Sequence, residues 1–155
     1  MQKEKPTGVT LFVIWSFLAG IVSILSGQDA FRNNIRALGE ALADPQMGLD
    51  TSLYQTCILI GAILLAGGLA YCIGAVGLSN GQEWGRKINI FAGIAISIGW
   101  IGIAAYPFMF SDPQSSMILL ITSVPVFLLF IMLPILLIIY LRAKEVREYC
   151  SVAQN

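Results

Sequence analysis

The run YQTCILIGAILLAGGLAYCIGAVGLS, residues 54–79, contains no Asp, Glu, Lys, Arg or His and is rich in glycine and alanine. A helix rising 1.5 Å per residue needs about 20 apolar residues to cross the hydrocarbon core, and this run exceeds that. Three further runs, 8–27, 88–110 and 116–141, share its lack of charge. They predict an all-α polytopic membrane protein with four transmembrane helices in an antiparallel bundle. Composition agrees, at 57% hydrophobic, 12% charged and 15 glycines in 155 residues. The longest stretch between predicted spans, 28–53, is too short to build a core, so one membrane domain over 1–155 is expected.

The formal net charge of zero hides a sorted distribution. Lys3 and Lys5 precede the first span, Arg86 and Lys87 lie between the second and third, and Arg142, Lys144 and Arg147 follow the fourth. Arg32 and Arg36 fall on the other side, among Asp29, Glu40, Asp44, Asp50 and Asp112. Short loops rich in Lys and Arg stay in the cytoplasm, which assigns both termini and the loop near 80–87 to the inside. The tail 142–155 is then cytoplasmic. The first apolar run is long for a signal peptide core and no A-x-A site follows it, so it is read as a retained span.

Within 28–53, Phe31, Ile35, Leu38 and Leu42 recur at helical spacing while Arg32, Asn33, Arg36 and Glu40 take the other face. Asp29 is placed to cap a helix and Asp44-Pro45 to end it. This predicts a separate exterior amphipathic helix over about 29–43, lying in the lipid interface as a connector or over the bundle as a lid.

Small residues within the spans are ordered. Ala62, Ala66, Ala70 and Gly74 repeat at every fourth position, a helix-packing stripe that would let a neighbouring helix approach closely where lipid supplies no hydrophobic contrast. Ala19, Ser23 and Gly27 repeat in span one; span three has Gly93 with Ser97 and Ala95 with Gly99. Pro125 and Pro134 should bend span four at the carbonyls of Ile121 and Phe130. Trp15 and Trp100 are expected to be packing residues whose indole N–H groups find Ser16, Ser97 or a backbone carbonyl. Tyr54, Tyr106 and Phe110 suit the outer interface, and Trp84 and Tyr140 the inner one.

Chemistry-bearing groups are sparse. There is no histidine and no C-x-x-C, and Cys57 and Cys72 lie too far apart along one helix to bridge. No acidic side chain lies within a predicted span, whereas ion-coupled transporters usually carry one. Catalytic and metal-ligating residues cannot be assembled from this inventory. An enzyme, a cofactor and a nucleic-acid partner are therefore not expected.

Pro6-Thr7-Gly8-Val9-Thr10, the inner loop Gly77-Leu78-Ser79-Asn80-Gly81-Gln82-Glu83-Trp84-Gly85-Arg86-Lys87, and Tyr140-Leu141 with Val146-Arg147-Glu148-Tyr149 resemble the landmarks of small prokaryotic four-span membrane proteins of unassigned function. That resemblance implies a bacterial or archaeal inner membrane and supplies no catalytic residue. Three roles follow from the sequence. The first is an accessory or scaffold component that packs against a membrane-protein partner or a second copy of itself. The second is a channel or carrier for a neutral or lipid-like solute, using Gln55, Thr56, Asn89, Ser97, Thr122 and Ser123. The third is a regulator in contact with the lipid bilayer, where Trp84, Arg86, Lys87, Arg142, Lys144 and Arg147 form a cytoplasmic basic interface set.

Overall fold

The computed structural model of the chain describes residues 6–43, 51–110 and 128–152. Among these residues the structure is helical throughout and contains no strand. In chain order the helices are α1 (Thr7–Ala43), α2 (Thr51–Ser79), α3 (Glu83–Phe110), α4 (Leu133–Leu141) and α5 (Lys144–Val152). A π-helical turn, Leu128–Met132, leads directly into α4. Three helices, α1, α2 and α3 as far as Ala105, are long and apolar enough to cross a membrane. The expected fourth span is described only in its second half, from Leu128 to Leu141; 116–127, with Thr122, Ser123 and Pro125, lies outside the described residues.

Glycine pairs set the spacing of α1 and α2. A Cβ placed on Gly20 would stand 2.9 Å from the Gly68 carbonyl oxygen, and one on Gly68 would stand 2.7 Å from that of Gly20. One heptad along each helix the arrangement repeats: a Cβ on Gly27 would lie 2.7 Å from the Gly61 carbonyl oxygen, and one on Gly61 2.9 Å from that of Gly27. The two backbones are therefore in contact, which small residues permit and larger ones forbid. The Ser16, Ala19, Ser23 and Gly27 side of α1 is buried here.

These contacts correct the expected stripe on α2. Ala66 is exposed and Ala62 and Ala70 are half-buried, while Gly74 alone of the four is buried. Packing on α2 runs instead through Gly61, Leu64, Gly68, Tyr71, Ala75 and Leu78, with Gly67, Gly74 and Gly77 turned to α3. The fourfold repeat selected the alanines, but glycine brings backbones closer and the helix turns its glycines inward.

The segment expected to form a separate exterior helix also differs from expectation. Residues 29–43 are helical, but α1 continues through them from the first span without a break. Asp29 therefore lies mid-helix rather than at a cap. Nothing in Ser26-Gly27-Gln28 stops a helix, and α2 supports the continuation: a Cβ on Gly61 would lie 2.8 Å from the Phe31 nitrogen. With 37 residues α1 is about 55 Å long, well beyond the ~30 Å hydrocarbon core. Its Ile35 and Leu42 are 46% and 65% exposed, whereas Ala41 is buried, so the predicted apolar face is only partly used.

The α2–α3 connection is the Asn80-Gly81-Gln82 turn. Gln82 N–H donates to the Gly77 carbonyl at 2.9 Å and Gly81 N–H to that of Leu78 at 3.0 Å, the paired bonds of a Schellman cap. Gly81 sits at φ 70°, the left-handed conformation this cap requires. Gly85 then crosses against α2 so closely that a Cβ would be 2.6 Å from the Gly77 Cα.

Pro134 lies in the first turn of α4, after the π turn that contains Phe130. The carbonyl of Phe130 is the one the proline ring displaces, and a widened turn accommodates both the missing donor and the clash. Phe130 itself stacks on Trp100, with centroids 4.6 Å apart, and meets Trp15 at 6.0 Å. Both tryptophans are thus packing residues, as expected, and they meet the π turn that precedes α4. The expected N–H partners are not met: Trp100 Nε1 donates to Ser23 Oγ at 3.3 Å, Ser97 bonds instead to the Gly93 carbonyl, and the buried Trp15 Nε1 meets no acceptor among the described residues.

Candidate functional site

At the end of the bundle that carries Arg86, four helix termini converge. Arg86 lies in the first turn of α3 and is only 9% exposed. Its Nε donates to Glu83 Oε2 at 2.8 Å, its Nη2 to Glu83 Oε1, and its Nη1 to the Leu141 carbonyl at 3.2 Å. Leu141 ends α4, where backbone carbonyls lack helical partners. A guanidinium there satisfies the carbonyl and complements the negative end of the helix dipole. The Glu83 carboxylate accepts from the other two nitrogens, Nε and Nη2, along one edge of that guanidinium.

The chain turns at Arg142-Ala143 and enters α5, whose Val146 and Cys150 are fully buried. Tyr149 Oη donates to the Ser79 carbonyl at 3.2 Å, across to the last residue of α2. At the start of α1, Gly8 lies beneath Tyr140, whose ring and hydroxyl occupy the place of a Cβ. A short amphipathic helix thus closes the bundle, tying the ends of α2, α3 and α4.

The Cys150 thiol is pushed up to about 11, first by burial and then by the Glu83 carboxylate, with Arg86 opposing. At neutral pH it is a protonated packing group rather than a nucleophile. Beside it, Glu83, Lys144, Arg147, Glu148 and Ser151 line a polar groove of about 370 Å³. Both signs of charge are present, with Lys144 Nζ 3.7 Å from Glu148 Oε1, so the groove offers no single-sign field.

The six residues expected to form the cytoplasmic basic interface divide. Lys87, Arg142, Lys144 and Arg147 are exposed, and Trp84 is 42% exposed with its ring edge against Gly77. Arg86 is corrected: it is a largely buried tie between α3 and α4 rather than part of an open basic surface. Glu83 is its two-pronged partner. The segments that carried the family resemblance are the same ones that make these contacts. Gly8 with Tyr140 and Tyr149 with Ser79 each join two of them, while Gly77 and Gly85 meet within one.

The polar side chains expected to line a solute path do not gather. Gln55 and Thr56 are exposed at the start of α2, with Thr56 Oγ1 bonded to the Ser52 carbonyl, while Asn89 is buried one turn from Arg86. Ser97 is turned back onto its own helix. Ala30, Asn34, Cys57, Ile60, Gly102 and Ile103 line a mostly apolar cavity of about 280 Å³ where the far parts of α1, α2 and α3 meet. Among the described residues no cluster of three or more His, Cys, Asp or Glu could hold a metal ion.

Comparison with protein-family models, curated proteins and solved structures finds no match to this chain. What can be argued about function therefore comes from the geometry.

Sequence reasoning did not single out α5 as a docked helix. Its trace lies in Val146, Tyr149 and Cys150, spaced three and one apart on a single face. The bond from Arg86 to Leu141 spans 55 residues and leaves no local pattern.

Proposed function

We propose that the chain is a four-span inner-membrane protein with both termini inside, and that it acts as an accessory or scaffold component by packing against a partner helix. The observation that carries this reading is the outward alanine ridge of α2. Ala66 is exposed and Ala62 and Ala70 are half-buried, set among the exposed Leu59, Leu69 and Ile73. The chain's own close contacts use glycines on the other sides of α2, so this shallow groove between bulky side chains is left over. Within a bilayer such a groove is where a second helix gains van der Waals contact, because lipid tails fill it poorly.

The test is a photo-crosslinking residue at position 66, with position 18 on the exposed face of α1 as control, in native membranes. A discrete protein adduct at 66 and lipid alone at 18 is the expected result. Lipid adducts at both sites would remove the ridge as a docking face and the proposal with it.

A further inference from the structure

Exposed apolar side chains run along α3 at Phe91, Ile94 and Ile98 and along α4 at Ile135 and Ile139, each set spaced as one helix face. Toward the Arg86 end, the next residue on each face is a cation. Lys87 lies one turn before Phe91 and Arg142 one turn after Ile139, and both are exposed. Neither forms an ion pair with a carboxylate among the described residues.

The two cations share one side of the bundle. A Cβ on Gly93 would lie 3.2 Å from Ile138 Cδ1, and Arg86 Nη1 donates to the Leu141 carbonyl at 3.2 Å, so α3 and α4 run antiparallel through these contacts. On each helix the exposed residue follows the contact residue by one: Lys87 after Arg86, Ile94 after Gly93, Ile139 after Ile138 and Arg142 after Leu141. One residue turns a right-handed helix by about 100°, and in two antiparallel helices that same step turns toward the same side of the pair. Lys87 and Arg142 therefore face one way, at the level of the Arg86–Leu141 bond. Trp84, one turn before Lys87, adds an indole that is 42% exposed.

A cation at the end of an apolar stripe lays its stem along hydrocarbon and sets its charge among the headgroups. The other two exposed cations at this end are opposed by carboxylates: Lys144 Nζ is 3.7 Å from Glu148 Oε1, and Arg147 lines the groove that holds Glu83 and Glu148. Lys87 and Arg142 are not opposed in this way.

We propose that Lys87 and Arg142 form a docking site for the phosphate of an anionic phospholipid headgroup, on the lipid-facing side of the α3–α4 pair with Trp84 at its rim. The Lys87 ammonium meets the phosphate as a point charge and the Arg142 guanidinium offers it a two-pronged donor edge. A zwitterionic headgroup brings its own cation and gains less. The site rests on these helices lying in a bilayer and is independent of helix docking at Ala66.

The test places the full chain in equimolar phosphatidylcholine and phosphatidylglycerol bilayers, with a nitroxide near the carbonyl end of one chain on either the first lipid or the second. Trp84 fluorescence, isolated by subtracting the Trp84→Phe variant, should be quenched at least about twofold more by labelled phosphatidylglycerol, since each cation near the surface favours anionic lipid by roughly fivefold. Lys87→Gln with Arg142→Gln should abolish the preference, and Lys144→Gln with Arg147→Gln should leave it as in the parent. All four side chains are exposed, so both pairs should fold. Equal quenching by the two lipids in the parent would overturn the site, as would a preference that survives the first pair. Equal loss in both pairs would overturn it too, because a diffuse field of the tail would then account for the attraction.

Discussion

Gly20 and Gly68 meet backbone to backbone, each carbonyl oxygen standing within 3 Å of where the other residue's Cβ would be. The reciprocity means that neither helix can yield for the other: besides the Cys72 sulfur at Gly20 and Ile24 at Gly68, a side chain on either glycine meets a main-chain oxygen of the facing helix. Gly27 and Gly61 repeat the arrangement one heptad on, so α1 and α2 share a line of backbone contact that fixes their separation.

Replacing Gly68 with Ala should therefore force the helices apart and cost about 1–3 kcal/mol, the usual range for overpacking a close contact. Gly39, where a Cβ would meet nothing within 4 Å, is the control, and Gly39→Ala should be neutral or stabilising. Denaturant titration in detergent micelles, followed by circular dichroism, distinguishes the two. Equal midpoints for both variants would mean that the backbone contact contributes nothing.

Ala66→Leu separates folding from assembly. Because Ala66 faces outward, the variant should unfold within about 0.5 kcal/mol of the parent, as surface substitutions do. Its capture of a membrane partner should nevertheless fall sharply, since leucine fills the groove. A large loss of stability would show that the position is packed inside one bundle.

Arg86→Ala should release α5. The substitution removes the bond to the Leu141 carbonyl and leaves the Glu83 carboxylate without its guanidinium, at a cost on the order of 1–3 kcal/mol for the group left unsatisfied. Cys150, fully buried on the inward face of α5, reports the event. Maleimide labelling of Cys150 in membranes should be slow in the parent and faster by tenfold or more in the variant. Unchanged labelling would place the tail's anchorage elsewhere.

The same thiol gives a pH dependence of definite sign. Its docked value is raised from 9.0 to about 11, so docking favours the protonated form. The contribution is fully present below pH 9 and is lost as pH rises through about 11. Cys150 itself cannot report this by labelling once removed, so protease cleavage within α5 serves as the readout. Cleavage should rise between these values in the parent and rise less in Cys150→Ala, and identical profiles would assign the change to other groups.

The spans were legible because the absence of charge over a bilayer's width is a composition signal that survives any detail of packing. Runs 8–27, 54–79 and 88–110 fall within α1, α2 and α3. Phase was harder to read. A repeat of four picks out Ala62, Ala66 and Ala70, yet which side of a uniformly apolar helix turns inward depends on its neighbours, and Gly61 and Gly68 are chosen by Gly27 and Gly20. The break expected near Asp29 failed for a related reason, since capping residues permit a helix to start without obliging the preceding one to stop. The buried role of Arg86 was invisible because a basic residue in an inner loop satisfies the orientation rule whether or not it is also bonded to Leu141.

The proposed four-span topology makes the final prediction. Seven of the nine basic residues lie before span one, between spans two and three, or after span four, and only Arg32 and Arg36 lie opposite. An even number of crossings is what returns Arg142, Lys144 and Arg147 to the side of Arg86, and the bonds from Arg86 to Leu141 and from Tyr149 to Ser79 require that same return. A reporter active only outside the cytoplasm, fused near residue 45 or 113, should therefore be active, and the same reporter near 83 or 150 should be silent. Activity at 150 with silence at 83 would put the two ends of those hydrogen bonds on opposite faces of the membrane, and neither the four-span topology nor the docked α5 would survive it.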